Sequence, residues 1–532
     1  MGDTQSLRRL GIRSAYGILL TSVFWLAFYQ LDNRLFWVDE AETAVLARNI
    51  LQFGVPKVED GTNHISLHGD KFDVHDGVWT WTPWLPYYVT AASFKLLGTT
   101  TWAGRAPFAL IGWLAVVALG FSTWKIYRHH GVALATMALL GTSEVYLLHM
   151  RQCRYYSITV LGEILLVYGV FQILNRKQTG LWLVWVGLAM QFFCNYVIAL
   201  ANFPGLCVLI VLLFWRKDRA AWHLVTALGG LLLVGIPWLW FANLFRQYVT
   251  DESLPVGGRL AYYLLEVQFD FIPWCVLLLP GLGWLWQRRK KNDPSAVVRK
   301  QLPAAPRYLE GFLMILPALY LPVLLVLPSA YARYLLPQLP IMCLLASVWL
   351  FRYLPRRMII ALLILIHIGT NALSMVTVFP ITAGHHLRVR LVEYVAGLFP
   401  PYADVSSTVV EYLQNNSSPG QRLLTFAPEF PLQFYTHLSV IDGRLNPPGD
   451  GQLPDWYESR SASAIVQEPV PLPEFMKPYY ERVEIPVPDA SAAGSIPQPG
   501  IYQYQTATDK VLFVIYRLKT SEPTPQKPAA PQ

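Results

Sequence analysis

Three carboxylates lie within four positions near the start of the chain, in the stretch RLFWVDEAETAVLARNIL at 34–51. The amphipathic pattern, stopped by GVP at 54–56, predicts a short helix with Asp39, Glu40 and Glu42 in its first turn. Two interpretations stay open. Acids at a helix N-terminus balance the helix dipole, which stabilises the helix by about 0.3–1 kcal/mol. A carboxylate held at a membrane surface can also act as a general base.

Arginines follow at positions that are unusual for a membrane protein. Arg151 and Arg154 in HMRQCRYYSITVLGE, and Arg333 in PSAYARYLLPQLP, lie at predicted outer junctions between apolar runs. Basic residues normally collect on the inner side. Arginine suits bidentate phosphate binding, so the three side chains are candidates for a phosphate site. Snorkelling into lipid headgroups is the alternative.

The composition predicts the elements that position these groups. The chain has 532 residues, of which 54% are hydrophobic and 14% charged. Its apolar residues fall into runs of about twenty, the length of a transmembrane helix, so we expect a polytopic, mainly α-helical bundle. The eleven predicted spans are 12–30, 105–124, 131–149, 155–174, 181–199, 201–215, 221–242, 271–287, 308–328, 335–352 and 357–379.

Basic clusters between the spans predict the orientation. They fall on one side of the bundle, which the positive-inside rule makes cytoplasmic. This accounts for the net charge of +8, so no nucleic-acid partner is expected. The N-terminus is then cytoplasmic and the C-terminal part lies outside. The clusters are RRLGIR, KIYRHH, NRK, RKDR, RRKKNDPSAVVRK and RYLPRR.

The topology divides the chain into three parts. Residues 1–380 form the transmembrane domain, with one outer loop at 31–104 in which WTWTPWLPYYVTAASFKLLG is an interface helix. Residues 381–518, which are polar and proline-rich with short strand-like runs, predict a small α/β domain outside the membrane. Residues 519–532 predict a disordered tail.

The outer loops contain weaker signals. The stretch HISLHGDKFDVHDGVW has metal-ligand residue types, but their spacing matches no standard site. No cofactor is therefore predicted, and a divalent metal stays open. The five cysteines indicate neither disulfides nor zinc. The chain has no Walker, GxGxxG or GxSxG motif, so nucleotide binding and serine hydrolysis have no support.

Four stretches resemble one family in chain order, namely the integral-membrane glycosyltransferases of the C-type (GT-C) superfamily and their protein O-mannosyltransferase and lipid A aminoarabinose transferase group. VDEAETAVLARNIL resembles the acidic pair of the family's first outer loop. TPWLPYYVTAASFKLLGTTTWAGRAPFALIG resembles the interface helix and Arg-x-Pro span start. RQCRYYSITVLGEILLVYGVFQIL and ARYLLPQLPIMCLLA resemble the two later signatures.

The resemblance implies inverting sugar transfer from a polyprenyl-phosphate donor at the outer face of a bacterial inner membrane. It implies Asp39 as the general base, supported by Glu40, with Arg151, Arg154 and Arg333 on the donor phosphate. The acceptor would be a glycan, a lipid or a protein, and membrane lipid surrounds the bundle. Further substrate-binding candidates are Asp76, Trp81, Tyr87, Arg105, Tyr155, Asn195, Tyr196, Glu266 and Tyr334.

One departure and two alternatives accompany this interpretation. The chain has Thr82-Pro83-Trp84-Leu85 where relatives often carry Lys-Pro-Pro-Leu, so a lysine contact to the phosphate is missing. A ligase or polymerase of lipid-linked oligosaccharides stays open. A lipid or sugar transporter also stays open, but transporters place charges near the bilayer midplane, whereas these charges gather at the outer rim.

Overall fold

The computed structural model describes residues 2–519 except 68, 245–253, 280–301, 303–307, 328–329, 355, 377–385, 400, 427–429, 446–452, 462–470 and 490–494. The membrane part is built of fifteen described helices and two described 3-10 segments, Ala332–Gln338 and Ala372–Met375, of which the first is called the 3-10 segment below. The helices are α1 Gly2–Phe28, α2 Val38–Phe53, α3 Leu85–Leu97, α4 Thr101–Tyr127, α5 His130–Gly141, α6 Glu144–Met150, α7 Tyr156–Leu174, α8 Thr179–Phe192, α9 Tyr196–Trp215, α10 Ala220–Phe241, α11 Val256–Phe269, α12 Trp274–Leu277, α13 Leu309–Val326, α14 Leu339–Tyr353 and α15 Arg357–Gly369.

Seven helices in the described part of the chain are long and apolar enough to cross a membrane. An eighth span results if α5 and α6, which meet at a bend of 64°, are counted as one. The prediction of a multi-pass helical bundle is confirmed, but the count of eleven is only partly matched. Two predicted spans correspond to the shorter apolar helices α8 and α15, and the one at 271–287 extends beyond the described residues. The seven are Arg9–Phe28, Thr101–Tyr127, Tyr156–Leu174, Tyr196–Trp215, Ala220–Phe241, Leu309–Val326 and Ala332–Tyr353.

Helices α7 and α8 pack with their backbones in close contact. A Cβ atom on Gly187 would lie 2.5 Å from the carbonyl oxygen of Gly162, and one on Gly180 would lie 2.6 Å from that of Gly169. Lipid tails are as apolar as the helices, so close packing of small residues is a main source of association energy inside a membrane. The pair α7–α8 is therefore held together by this glycine contact.

The outer loop is folded around α2. Helix α2 ends at Gly54, whose φ of +80° is the left-handed conformation that glycine adopts readily, as the GVP signal predicts. Helix α3 is only 13 residues long and half-buried, which fits an interface helix better than a span. The predicted position of Glu42 is wrong: α2 begins at Val38, so Glu42 lies in the second turn and does not cap the helix.

The C-terminal region contains a mixed five-stranded sheet in the order β4-β3-β5-β7-β6. Strand β3 is parallel to β4 and β5, whereas β7 is antiparallel to β5 and β6. The predicted α/β domain is confirmed, and most of the tail at 519–532 lies outside the described residues. Its elements are α16 Arg390–Ala396, α17 Val405–Asn416, α18 Phe430–Tyr435, β3 Arg422–Phe426, β4 Ser439–Asp442, β5 Trp456–Ser461, β6 Tyr480–Pro488 and β7 Lys510–Leu518, and the outer loop adds a hairpin of β1 Val74–His75 and β2 Val78–Trp79.

Replacing Gly187 by alanine will destabilise the protein, because the new methyl group must push the α7 backbone away. Overpacking of this kind costs about 1–3 kcal/mol. We expect Gly187→Ala to lower the melting temperature of the purified protein in detergent. Gly229→Ala is the matched control, because a Cβ on Gly229 in α10 would meet nothing within 4 Å. Equal melting temperatures for the two variants would contradict the backbone contact.

Candidate functional site

The three acids of α2 each face an arginine from a different part of the membrane domain. One arginine is in α4, one follows α6 and one is in the 3-10 segment. The side chains are buried or half-buried, so their interactions are weakly screened. The pairs are Glu40 Oε2 with Arg105 Nη2 at 2.7 Å, Glu42 Oε1 with Arg154 Nη1 at 2.9 Å, and Asp39 Oδ2 with Arg333 Nη1 at 3.0 Å.

Glu40 is fully buried and its carboxylate is saturated. Arg105 donates to both of its oxygens, at 2.8 and 2.7 Å, and the backbone N–H of Cys153 donates to Oε1 at 2.7 Å. Arg105 also donates to the backbone carbonyls of Leu31, Arg34 and Leu35. The guanidinium of Arg105 therefore holds the loop at 31–104 to α4, and Glu40 holds that guanidinium in place. A substrate contact of Arg105 and a supporting role of Glu40 stay predictions.

Glu42 is also enclosed. Tyr87 donates to Glu42 Oε1 at 2.7 Å and accepts a hydrogen bond from Trp79 Nε1 at 3.0 Å, which places the candidate Tyr87 in the scaffold of the loop. Burial raises the pKa of Glu42, and the charge of Arg154 opposes that rise. Burial opposes the charge of Arg154, but Glu42 and Asp39 outweigh it and raise the pKa of the guanidinium.

Asp39 is the most accessible of the three acids, with 21% of its side chain exposed. Its Oδ2 lies between Arg333 Nη1 at 3.0 Å and Arg154 Nη2 at 3.6 Å. Oδ1 has no hydrogen bond to another residue in the described part of the chain. Arg333 is similarly accessible, with 22% of its side chain exposed. A partly exposed carboxylate is thus in direct contact with a partly exposed guanidinium.

Tyrosine rings surround the two arginines. The guanidinium carbon of Arg333 lies 4.2 Å from the ring centre of Tyr331, which packs edge-on against Tyr334. The guanidinium carbon of Arg154 lies 6.0 Å from the ring centre of Tyr155. The structure therefore brings the candidates Tyr155 and Tyr334 to the rim of the Asp39 cluster, where aromatic faces favour cations and sugar rings alike.

Arg151 contacts the backbone at the end of α1. Its guanidinium donates to the backbone carbonyls of Leu26, Ala27, Tyr29 and Gln30 at 2.7–3.2 Å. It therefore satisfies the carbonyl groups left open at the end of α1, as basic side chains do at helix C-termini. Its Nη1 and Nη2 are engaged by these carbonyls, and the expected phosphate contact of Arg151 stays a prediction.

Four further candidates make local contacts. Asp76 lies in the β1–β2 turn with 88% of its side chain exposed, and Trp81 packs on Phe72. Asn195 caps α9 by accepting the N–H of Val197 at 3.0 Å. Tyr196 accepts a hydrogen bond from Trp238 Nε1 at 2.7 Å. The hydrogen bonds of Asn195 and Tyr196 thus stay within α9 and between α9 and α10.

Glu266 joins the membrane domain to the C-terminal domain. It accepts a hydrogen bond from Gln498 Nε2 at 3.0 Å, and burial, followed by the charge of Asp270, raises its pKa. The contact assigns it to the interface between domains rather than to the Asp39 cluster. Within the described residues no group of three His, Cys, Asp or Glu side chains is placed to hold a metal, and His68 lies outside them.

An apolar groove begins at α3 and was not predicted. Its volume is about 380 Å³, and its walls come from the start of α3 and from α8 and α10. Trp84 meets Trp238 edge-on at 4.8 Å and lies three residues before Tyr87, which contacts Glu42. The signal in the sequence was the aromatic run WTWTPWLPYY. The main lining residues are Trp84, Leu85, Tyr88, Trp185, Phe193 and Trp238.

Removing the Glu40 carboxylate will unfold the outer loop rather than affect only chemistry. Glu40→Ala leaves Arg105 as an uncompensated buried charge, which costs about 3–5 kcal/mol. We expect a large drop in the melting temperature of the purified protein. Asp39→Asn is the matched control on the same turn. Its melting temperature should be close to that of wild type, because Arg154 still forms its ion pair with Glu42. An equal drop in melting temperature for both variants would contradict the inference that Glu40, and not Asp39, is needed for stability.

Comparisons with known proteins rest on the fold. No family model matches the chain, and no curated protein matches it by sequence. The crystal structure of ArnT, the lipid A aminoarabinose transferase from Cupriavidus metallidurans, bound to undecaprenyl phosphate aligns over 80% of this chain and 85% of its own, with 14% identity and a TM-score of 0.53. The apo structure of the same protein aligns over 81% and 86%, with 16% identity and a TM-score of 0.54.

A third structure is more distant. The archaeal oligosaccharyltransferase AglB from Archaeoglobus fulgidus aligns over 81% of this chain and 64% of its own, with 10% identity and a TM-score of 0.48, which is too weak a likeness to indicate a common fold. The alignment with ArnT extends over most of both chains and confirms the expected architecture. The chain therefore has the C-type (GT-C) fold of membrane glycosyltransferases.

Proposed function

We propose that the protein is a membrane glycosyltransferase that moves a sugar from a polyprenyl-phosphate donor to a hydroxyl group, with Asp39 as the general base. The observation that carries the proposal is the position of Asp39, whose Oδ2 lies between Arg333 and Arg154 while Oδ1 remains open. A base and a cationic phosphate site are the two groups that this transfer requires. In this chain the carboxylate of Asp39 lies beside both arginines.

The arginines supply the phosphate site. Arg154 is kept in place by Glu42 and Thr43, at 2.9 and 3.0 Å, so it acts as a fixed charge. Arg333 has 22% of its side chain exposed and a single carboxylate partner among the described residues, so it can turn towards a phosphate. The undecaprenyl phosphate bound by ArnT supports a polyprenyl carrier for a chain with the same fold.

The reaction is a single displacement. Asp39 Oδ1 accepts the proton of the acceptor hydroxyl while the hydroxyl oxygen forms a bond to the anomeric carbon. The bond from that carbon to the phosphate oxygen breaks, and the electron pair leaves with the polyprenyl phosphate, which gains one negative charge. Attack from the side opposite the phosphate inverts the configuration. Arg333 and Arg154 stabilise the charge as it develops.

The apolar groove suits the isoprenoid chain of the donor. Its lining is almost wholly aliphatic and aromatic, and it starts on the helix that carries Tyr87 beside Glu42 and Arg154. Thr82, at the position where relatives carry lysine, accepts a hydrogen bond from Trp79 Nε1 at 3.2 Å and belongs to the loop scaffold. The phosphate charge is therefore left to the arginines.

The place of action follows from the proposal and the topology. We propose a bacterial inner membrane, with the N-terminus in the cytoplasm and the C-terminal domain in the periplasm, beside the outer loop that holds the site. The acceptor is a glycan, a lipid or a protein with a free hydroxyl group. A transferred oligosaccharide instead of one sugar would indicate a ligase, and the product mass distinguishes the two.

Asp39→Asn will abolish transfer without unfolding the protein. Purified protein is given a panel of undecaprenyl-phosphate sugars with candidate acceptors, and released undecaprenyl phosphate and products are identified by mass spectrometry. Loss of a general base lowers kcat by about 10²–10⁴-fold. Asp76→Asn, on an exposed turn, is the control and should keep wild-type activity. Full transfer by a folded Asp39→Asn variant would rule out the proposed base.

Trp238→Ala will weaken donor binding, because it removes one wall of the apolar groove. Loss of a buried aromatic contact of about 1.5–3 kcal/mol raises KM for the long-chain donor about tenfold or more. A donor with one or two isoprene units should be little affected. Trp222→Ala is the matched control, since Trp222 lies on the same helix and is 63% exposed. Equal KM values for both variants would place the lipid chain elsewhere.

A further inference from the structure

The segment that carries Arg333 is short and lacks α-helical hydrogen bonding, so other contacts must fix it. It is the 3-10 segment Ala332–Gln338. The N–H of Ala332 donates to Tyr262 Oη at 3.0 Å, and Tyr320 Oη donates to the carbonyl of Tyr334 at 2.9 Å. The backbone is thus held on both sides of Arg333 by tyrosines from α11 and α13.

The far end of the segment enters a buried polar network. Gln338 Nε2 donates to Asn202 Oδ1 at 3.2 Å, and Asn202 Nδ2 donates to Glu163 Oε2 at 2.7 Å. Gln191 Nε2 donates to the same carboxyl oxygen at 2.7 Å. All four side chains have no exposed surface. The network therefore joins α7, α8 and α9 to the end of the 3-10 segment.

The network contains a carboxyl group, that of Glu163, inside a membrane span. Glu163 lies within the membrane span Tyr156–Leu174, where ionisable groups are expensive and usually functional. It contacts none of the acids of α2 among the described residues, so it has no part in the proton transfer assigned to Asp39. Its hydrogen bonds lead through Asn202 to Gln338, five positions from Arg333.

We propose that Glu163 is a positioning residue that fixes the 3-10 segment through Asn202 and Gln338 and so holds Arg333 against Asp39. The inference rests on the proposed function, because the value of a fixed Arg333 is its contact with the donor phosphate. A 3-10 helix rises about 2 Å per residue, so Gln338 lies about 10 Å from Arg333 along a stiff segment. A shift at Gln338 is then passed on to the guanidinium.

The first test reads the position of the segment without using activity. Backbone amide exchange of residues 332–338 is measured by mass spectrometry in full-length wild type, Glu163→Leu, Glu163→Gln and Gln172→Leu. Gln172→Leu is the matched control, because Gln172 is buried in the same helix and its side chain donates to Tyr168 in that helix. We expect exchange about tenfold faster in Glu163→Leu. Exchange in Glu163→Gln should equal that of wild type, since glutamine can still hydrogen-bond. Exchange in the control Gln172→Leu should also equal that of wild type.

Unchanged exchange in a folded Glu163→Leu variant overturns the proposal. If that variant does not fold, Gln338→Leu replaces it, since it cuts the link next to the segment while Glu163 keeps Gln191 and Asn202. Faster exchange in residues 332–338 of that variant supports the proposal. Exchange like that of wild type contradicts it.

The second test reads the effect on Arg333. In the transfer assay, Glu163→Leu should lower kcat about 10- to 100-fold with a smaller change in donor KM, as a misplaced catalytic group does, and Glu163→Gln should restore it. In an Arg333→Ala background, Glu163→Leu should add little. Additive losses would show that Glu163 does not act through Arg333. Absence of transfer by wild type would refute the proposed function, whereas the exchange data would still decide the positioning.

Discussion

The packing of the loop at 31–104 depends on the neutralisation of three carboxylates on one short helix. Asp39, Glu40 and Glu42 lie too close together to be buried as bare charges, because desolvated like charges repel strongly. Each is matched by an arginine from an element far away in sequence. Breaking a buried pair is expensive, so the pairs Glu40–Arg105 and Glu42–Arg154 fix α2 against α4 and the segment after α6. The more exposed pair Asp39–Arg333 adds a contact to the 3-10 segment. The same ion pairs therefore neutralise the acids and set the geometry of the site.

The three acids differ in how much of each side chain is exposed. Side-chain exposure is 0% for Glu40, 5% for Glu42 and 21% for Asp39. Both oxygens of Glu40 accept hydrogen bonds, and Glu42 Oε1 accepts hydrogen bonds from Tyr87 and Arg154, so these two acids hold the scaffold. Asp39 has the largest exposed fraction of the three, and its Oδ1 accepts no hydrogen bond among the described residues. The acid that we propose as the base is therefore the most exposed of the three.

Part of this arrangement can be predicted from the sequence. Apolar runs and basic clusters indicate the bundle, and GVP ends α2 where the structure ends it. Helical spacing also places Asp39 and Glu42 on one side, three residues apart, which is why Arg154 reaches both. Spacing cannot tell which arginine reaches which acid. Arg151 and Arg154 lie three positions apart and look alike in sequence, yet one caps α1 because the end of that helix lies beside it.

The shared position of base and arginines has an electrostatic consequence for the proposed reaction. Before transfer, the arginines face the negative charge of Asp39 and the single charge of the donor phosphate. As the reaction proceeds, Asp39 takes up the acceptor proton and loses its charge, while the leaving phosphate gains one. The total charge facing Arg333 and Arg154 stays constant and only moves from one partner to the other. Fixed cations that need little rearrangement stabilise such a transition state most effectively. That requirement explains why Arg154 is clamped by Glu42 and why the segment of Arg333 is tied into the membrane domain.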